Sequence, residues 1–186
     1  MERAEGVSEF APTEAGLTAL LTALTAAVRA NDTARLGALV EDVLPARSQL
    51  LLALTFDGGR TLGPYLSGPA GISDEQLTAR AREWATAQSV TVRSATGAQI
   101  AAGANATAYN AALRTIGPML REGVSFYRAE YRLAGGRTLF ADCWVYAGAK
   151  WMFVPEPWRF APGSPDRATV SPSTETGASL PSGGLR

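Results

Sequence analysis

Asp142 is the side chain in this sequence best placed to do chemistry. It sits in ADCWVYAGAKWMFVPEPWRF, residues 141–160, where six aromatics fall in twenty positions beside the only cysteine. A carboxylate closed in among rings loses water, which raises its pKa toward the range a general base needs near neutrality. A tyrosine beside it can donate to a developing oxyanion, and Tyr127 and Tyr131 stand one predicted strand away. The same side chains without chemistry form a pocket wall, because Tyr and Trp join an apolar body to a polar tip. They can equally form a filled core in which Asp142 bonds a tyrosine hydroxyl or a backbone amide, the simplest arrangement for a buried polar group.

Other residue types narrow the chemistry. The chain has no histidine, which removes the commonest general base and metal ligand. Zinc sites and histidine-based triads are excluded within one chain, and no cofactor motif is present. Cys143 falls in mid-strand with no base beside it and reads as a small buried hydrophobe. DGGR and AGGR do not lead from a strand into a helix, so they read as turns rather than phosphate loops. Asn31 and Asn105 open glycosylation-type triplets but suit a helix boundary and a loop. Glu156 stands between two prolines, which stiffen the exit from the last strand.

Seventeen basic and seventeen acidic residues balance along the 186-residue chain, and the arginines are scattered singly. Neither nucleic acid nor a membrane surface is favoured as a partner. The N-terminus lacks the basic-then-apolar run of an export signal, so a cytoplasmic location is expected, with a removed signal as the alternative.

The elements that must position these residues follow from periodicity. Leu17, Leu20, Leu21, Leu24, Ala27 and Val28 repeat at helical spacing, and Asp32 caps a second helix carrying Leu36, Leu39, Val40 and Val43. Residues 46–56 predict a third helix or a buried strand. Residues 57–71, rich in glycine and proline, predict an irregular connection. Ser73 and Gln76 form a capping box for the next helix, with Ile72 and Leu77 at staple spacing. A strand is expected at 89–94 with a weaker one after it, then a helix from Thr107 to the Gly117-Pro118 break. Strands at 124–133, 138–146 and 151–154 close the fold as a meander. Residues 1–12 read as a flexible lead-in, 13–160 as a single domain, and 161–186, rich in Pro, Ser and Gly, as a disordered tail.

A hairpin turn at Gly135-Gly136 predicts Tyr131 opposite Phe140, Ala129 opposite Asp142 and Tyr127 opposite Trp144. A second turn at Gly148-Ala149 sets Tyr146 opposite Trp151 and Trp144 opposite Phe153. Alternation then gathers Tyr127, Tyr131, Phe140, Trp144, Tyr146, Trp151 and Phe153 with Asp142 on one face. Phe126, Leu139, Val145 and Met152 fall on the reverse face, which is expected to be partly exposed and to form a homodimer surface.

The opening pair LTALLTALTAAVRANDTARLGALVEDVL and the closing meander VSFYRAEYRLAGGRTLFADCWVYAGAKWMFVPEPW together resemble the nuclear-transport-factor-two-like superfamily, the cystatin-type cone shared by ketosteroid isomerases. The resemblance covers roughly 13–160 and is one of pattern. It implies an α+β fold, with N-terminal helices packed on a curved, mainly antiparallel sheet ending in a three-stranded meander. It also implies a pocket on the concave sheet face, where Asp142 and the aromatics would lie. The Asp/His pair of the enzymatic branches has no counterpart here, because histidine is absent. The expected function is a non-enzymatic binding or accessory domain for a small apolar ligand or a protein partner. The alternative is a small isomerase or dehydratase with Asp142 as base.

Overall fold

The computed structural model describes residues 9–66, 71–165 and 167. The fold is α+β, with helices preceding and flanking a four-stranded antiparallel sheet that does not close on itself. Helix α1, Glu14–Arg29, starts where the Thr13 hydroxyl accepts the Gly16 amide. Its buried stripe is the one the spacing predicts: Leu17, Leu20, Leu21 and Leu24. Asp32 caps α2, Thr33–Val43, at the amide of Arg35. Helix α3 is a single turn, Arg47–Leu50, so only the beginning of the predicted 46–56 element is helical there.

The predicted irregular stretch is instead largely helix. Helix α4 runs Phe56–Leu66 and includes Gly58, Gly59, Gly63 and Pro64. Thr55 opens it, its hydroxyl accepting the Gly58 amide. Gly58 is there for closeness rather than for a turn: a Cβ at this position would sit 2.2 Å from the Met119 carbonyl oxygen. Helix α5, Asp74–Trp84, carries the capping box of Ser73 and Gln76 as predicted.

Strand β1 spans Ser89–Thr96 and passes directly into a short helix, α6, Gly97–Ala102, in place of the weak second strand. Thr96 and Gln99 make a second capping box there. The helix expected from Thr107 takes 3-10 form, as two segments at Ala106–Ala108 and Ala111–Met119, with Pro118 inside the second. Strands β2, Ser125–Arg132, β3, Thr138–Ala147, and β4, Lys150–Phe153, form the predicted meander beside β1.

The sheet separates two apolar clusters. On one face α1, α2 and α5 pack against Tyr127, Ala129, Tyr131, Trp144, Trp151 and Phe153. On the other, α4, α6 and the 3-10 segments cover Phe126, Cys143, Val145 and Met152. The reverse face is therefore not partly exposed as expected: Phe126, Val145 and Met152 are buried under this second layer. Leu139, expected with them, packs on the aromatic cluster instead.

The ends of the domain are tied down further than expected. Within the predicted lead-in, Phe10 packs on the aromatic cluster, and the Phe10 and Pro12 carbonyls accept from Trp151 and Tyr127. At the other end Phe160 and Ala161 are buried, and Arg167 lies over the Tyr65 ring and donates to the Phe160 carbonyl. Residues 1–8 of the predicted lead-in, and 166 and 168–186 of the predicted tail, lie outside the described residues.

Candidate functional site

The observed register explains where Asp142 goes. Tyr127 pairs with Trp144, Tyr146 with Trp151 and Trp144 with Phe153, as predicted. Between Tyr127 and Arg128 the register slips by one, so Arg128 faces Asp142, Ala129 faces Ala141 and Tyr131 faces Leu139. The extra residue is Cys143, held at φ 67° in the left-handed region. Such a β-bulge puts two residues of one strand against one of the other and offsets every side chain beyond it. Asp142 is thereby moved off the aromatic face, and Phe140 with it.

Asp142 meets Arg128 and Asn110 on the reverse face. Its Oδ1 lies 3.1 Å from Arg128 Nε as an ion pair, and Asn110 Nδ2 donates to Oδ2 at 3.4 Å. Arg128 also donates to the Tyr109 carbonyl and stacks 3.8 Å from the centre of the Phe140 ring. The Asp142 and Arg128 side chains are only 13 % and 18 % exposed. Burial pushes the Asp142 carboxyl above its usual range, while Arg128 and Asn110 pull it back in part. The carboxylate is thus held by a guanidinium and an amide, with both tyrosines named as proton donors on the opposite side of the sheet.

The aromatic face is packed rather than hollow around these residues. Tyr131 stacks on Trp84 at 5.4 Å, Trp144 lies 4.7 Å from Phe153, and Tyr127 and Tyr146 both meet Trp151 edge-on. Tyr127 donates to Pro12 and Trp151 to Phe10, so the chain just before α1 caps this end of the cluster. Tyr131 Oη and Trp144 Nε1 are buried with no hydrogen-bond partner among the described residues. Loss of water raises the pKa of both Tyr127 and Tyr131. Cys143 is a buried hydrophobe of the second cluster, as expected, and burial raises its thiol pKa too.

A surface site the sequence reading missed lies at α3 and α4. An open groove of about 530 Å³ is lined by Leu51, Leu54, Phe56 and Pro64, with Arg47, Arg60 and Arg121 around it. Phe56 is 81 % exposed, Leu52 46 % and Leu51 38 %. Among the described residues only one other large apolar side chain, Phe140, is classed with them, and it lies against Arg128. A short backbone bridge holds the groove in shape: Leu54 pairs with Leu120, Arg121 N donates to Ala53, and Arg121 Nε donates to the Leu54 carbonyl at 2.9 Å. Arg60 sits 5.9 Å from the centre of the Phe56 ring. The run LLALTF reads as core because it is apolar, and its outward half is visible only once α3 ends after one turn.

No family model, no curated protein and no solved structure matches the chain. No helix among the described residues is long and apolar enough to cross a membrane.

Proposed function

We propose that this chain is a non-enzymatic binding or accessory domain that docks a protein segment in the groove between α3 and α4. One observation carries the reading: Leu51 and Phe56 are both exposed in the lining of a groove that, among the described residues, holds three arginines and no acid. Isolated exposed apolar residues are ordinary, but a contiguous patch of this kind marks an interaction surface. Aromatic and arginine side chains are the types enriched where binding energy concentrates. The complementary partner is an acidic segment bearing large apolar residues.

The resemblance to the nuclear-transport-factor-two-like superfamily belongs to the same proposal, supported by the helix pair followed by an antiparallel meander. The small apolar ligand expected on the aromatic face has less support, because those rings fill one another's space. The isomerase alternative would need Asp142 and its tyrosine donors on one face, and the bulge separates them.

Panning a displayed random-peptide library on the protein tests the reading, with counter-selection on Phe56→Ser. Enriched peptides are expected to combine Asp or Glu with Leu, Phe or Trp, and to lose about tenfold or more in affinity on Phe56→Ser. Phe56 is exposed enough for that variant to keep its fold, which a thermal melt checks. No enrichment, or enrichment of basic peptides, would refute the groove as a docking site.

A further inference from the structure

A second cleft, independent of the groove, opens between α5 and the 3-10 turn Pro157–Phe160 that follows β4. Its volume is about 340 Å³, at the small end of the range that holds small molecules. Leu66, Ile72, Val154 and Phe160 supply apolar wall, while Gln76, Arg80, Glu156 and Arg159 supply polar groups.

The charges in this cleft do not cancel. Glu156 is held at φ 51° between two prolines, and its Oε2 lies 3.3 Å from Arg159 Nη1. That pair satisfies the one carboxylate that the described residues place in the lining. Arg80 is half-buried against the Phe153 ring, 6.0 Å from its centre, and meets no carboxylate among the described residues. A guanidinium drawn against apolar surface without a counter-charge is ready to donate to both oxygens of a carboxylate. Gln76 stands one helical turn before it, and its side-chain oxygen is occupied by the Ser73 amide at 3.1 Å. Its amide hydrogens are the groups it has left to offer.

We infer that this cleft binds a small monocarboxylate with an apolar body. The carboxylate lies on Arg80 and Gln76, and the apolar part lies along Ile72, Val154 and Phe160. One uncompensated positive charge selects a monoanion over a phosphate or a dicarboxylate. The apolar wall selects against small hydrophilic acids.

Backbone and methyl NMR titration with hexanoate tests this, with hexan-1-ol and inorganic phosphate as comparisons. Hexanoate is expected to give saturable shifts at Ile72, Gln76, Arg80 and Val154, with hexanol and phosphate each weaker by about tenfold or more. Arg80→Gln should weaken hexanoate by a similar factor. Gln76→Glu provides a second variant whose fold is protected, because glutamate at this position also completes the capping box. It gives Arg80 an internal acid and should abolish hexanoate binding. Unsaturable shifts, equal binding of hexanol, or undiminished binding by Gln76→Glu would each overturn the assignment.

Discussion

Asp142 shows how one residue's position decides between chemistry and structure. Its folded-state pKa lies above the usual 3.8, with burial the leading cause. The folded protein therefore binds more protons than the unfolded chain between that value and the raised one. Stability contributed by the protonated carboxyl is complete below the unfolded value and is lost as pH rises through the folded one. Asp142→Asn lacks this titration, so its stability relative to the unmodified protein should climb with pH across that window. At pH 7 it should lie within about 1 kcal/mol of the parent. Arg128→Met leaves an ionised, largely dry carboxylate without its partner and should cost about 2–4 kcal/mol. Urea melts across a pH series measure both. A deficit for Asp142→Asn that grows with pH would mean that the ion pair outweighs burial.

At the scale of elements, the legible parts were those whose partners are local. The stripes of α1 and α2, the capping box of α5 and the pairing of β3 with β4 are all written within a few residues of one another. Helix α4 was hidden because its glycines signal a turn, whereas Gly58 answers to Met119, far along the chain. The Thr96–Gln99 box before α6 follows the same spacing as Ser73–Gln76 and was available to read. The bulge at Cys143 left one trace: a lone carboxylate assigned to an aromatic face. That conflict between local pattern and burial was the signal for a slipped register. Cys143 holds a left-handed backbone that a β-branched residue adopts only with strain. Cys143→Val should therefore destabilise by about 2 kcal/mol or more, while Cys143→Gly, trading lost packing for relieved strain, should stay within about 1 kcal/mol. Thermal or urea denaturation separates the two. Equal losses would mean that packing alone governs the site.

As a whole molecule, the protein places one sheet between two apolar clusters, so every central strand belongs to both. Trp84, Trp144 and Trp151 lie in the first cluster, and Trp158 packs against the second. Fluorescence of a Trp158→Phe variant thus reports the first cluster alone. Its urea midpoint should coincide with the midpoint from far-ultraviolet circular dichroism, because neither layer can release the sheet without exposing the other's rings. Separate midpoints would show that the α4 and α6 layer melts on its own. The exposed groove was beyond reach of the sequence for the same reason that the covered reverse face was. Which apolar residues meet solvent is settled by how many layers the sheet carries, and the second layer rests on α4 and on 3-10 turns with weak local signatures.

The slip at Cys143 also divides β3 into two segments of opposite parity. Even-numbered positions face the rings from Trp144 onward, and odd-numbered ones face them up to Ala141. A related strand lacking the extra residue would be one position shorter and would keep a single parity throughout. Laid side by side without a gap, the two would match core positions to outward ones along half their length. Kinship in this strand is visible only to a comparison that spends a one-residue gap at position 143.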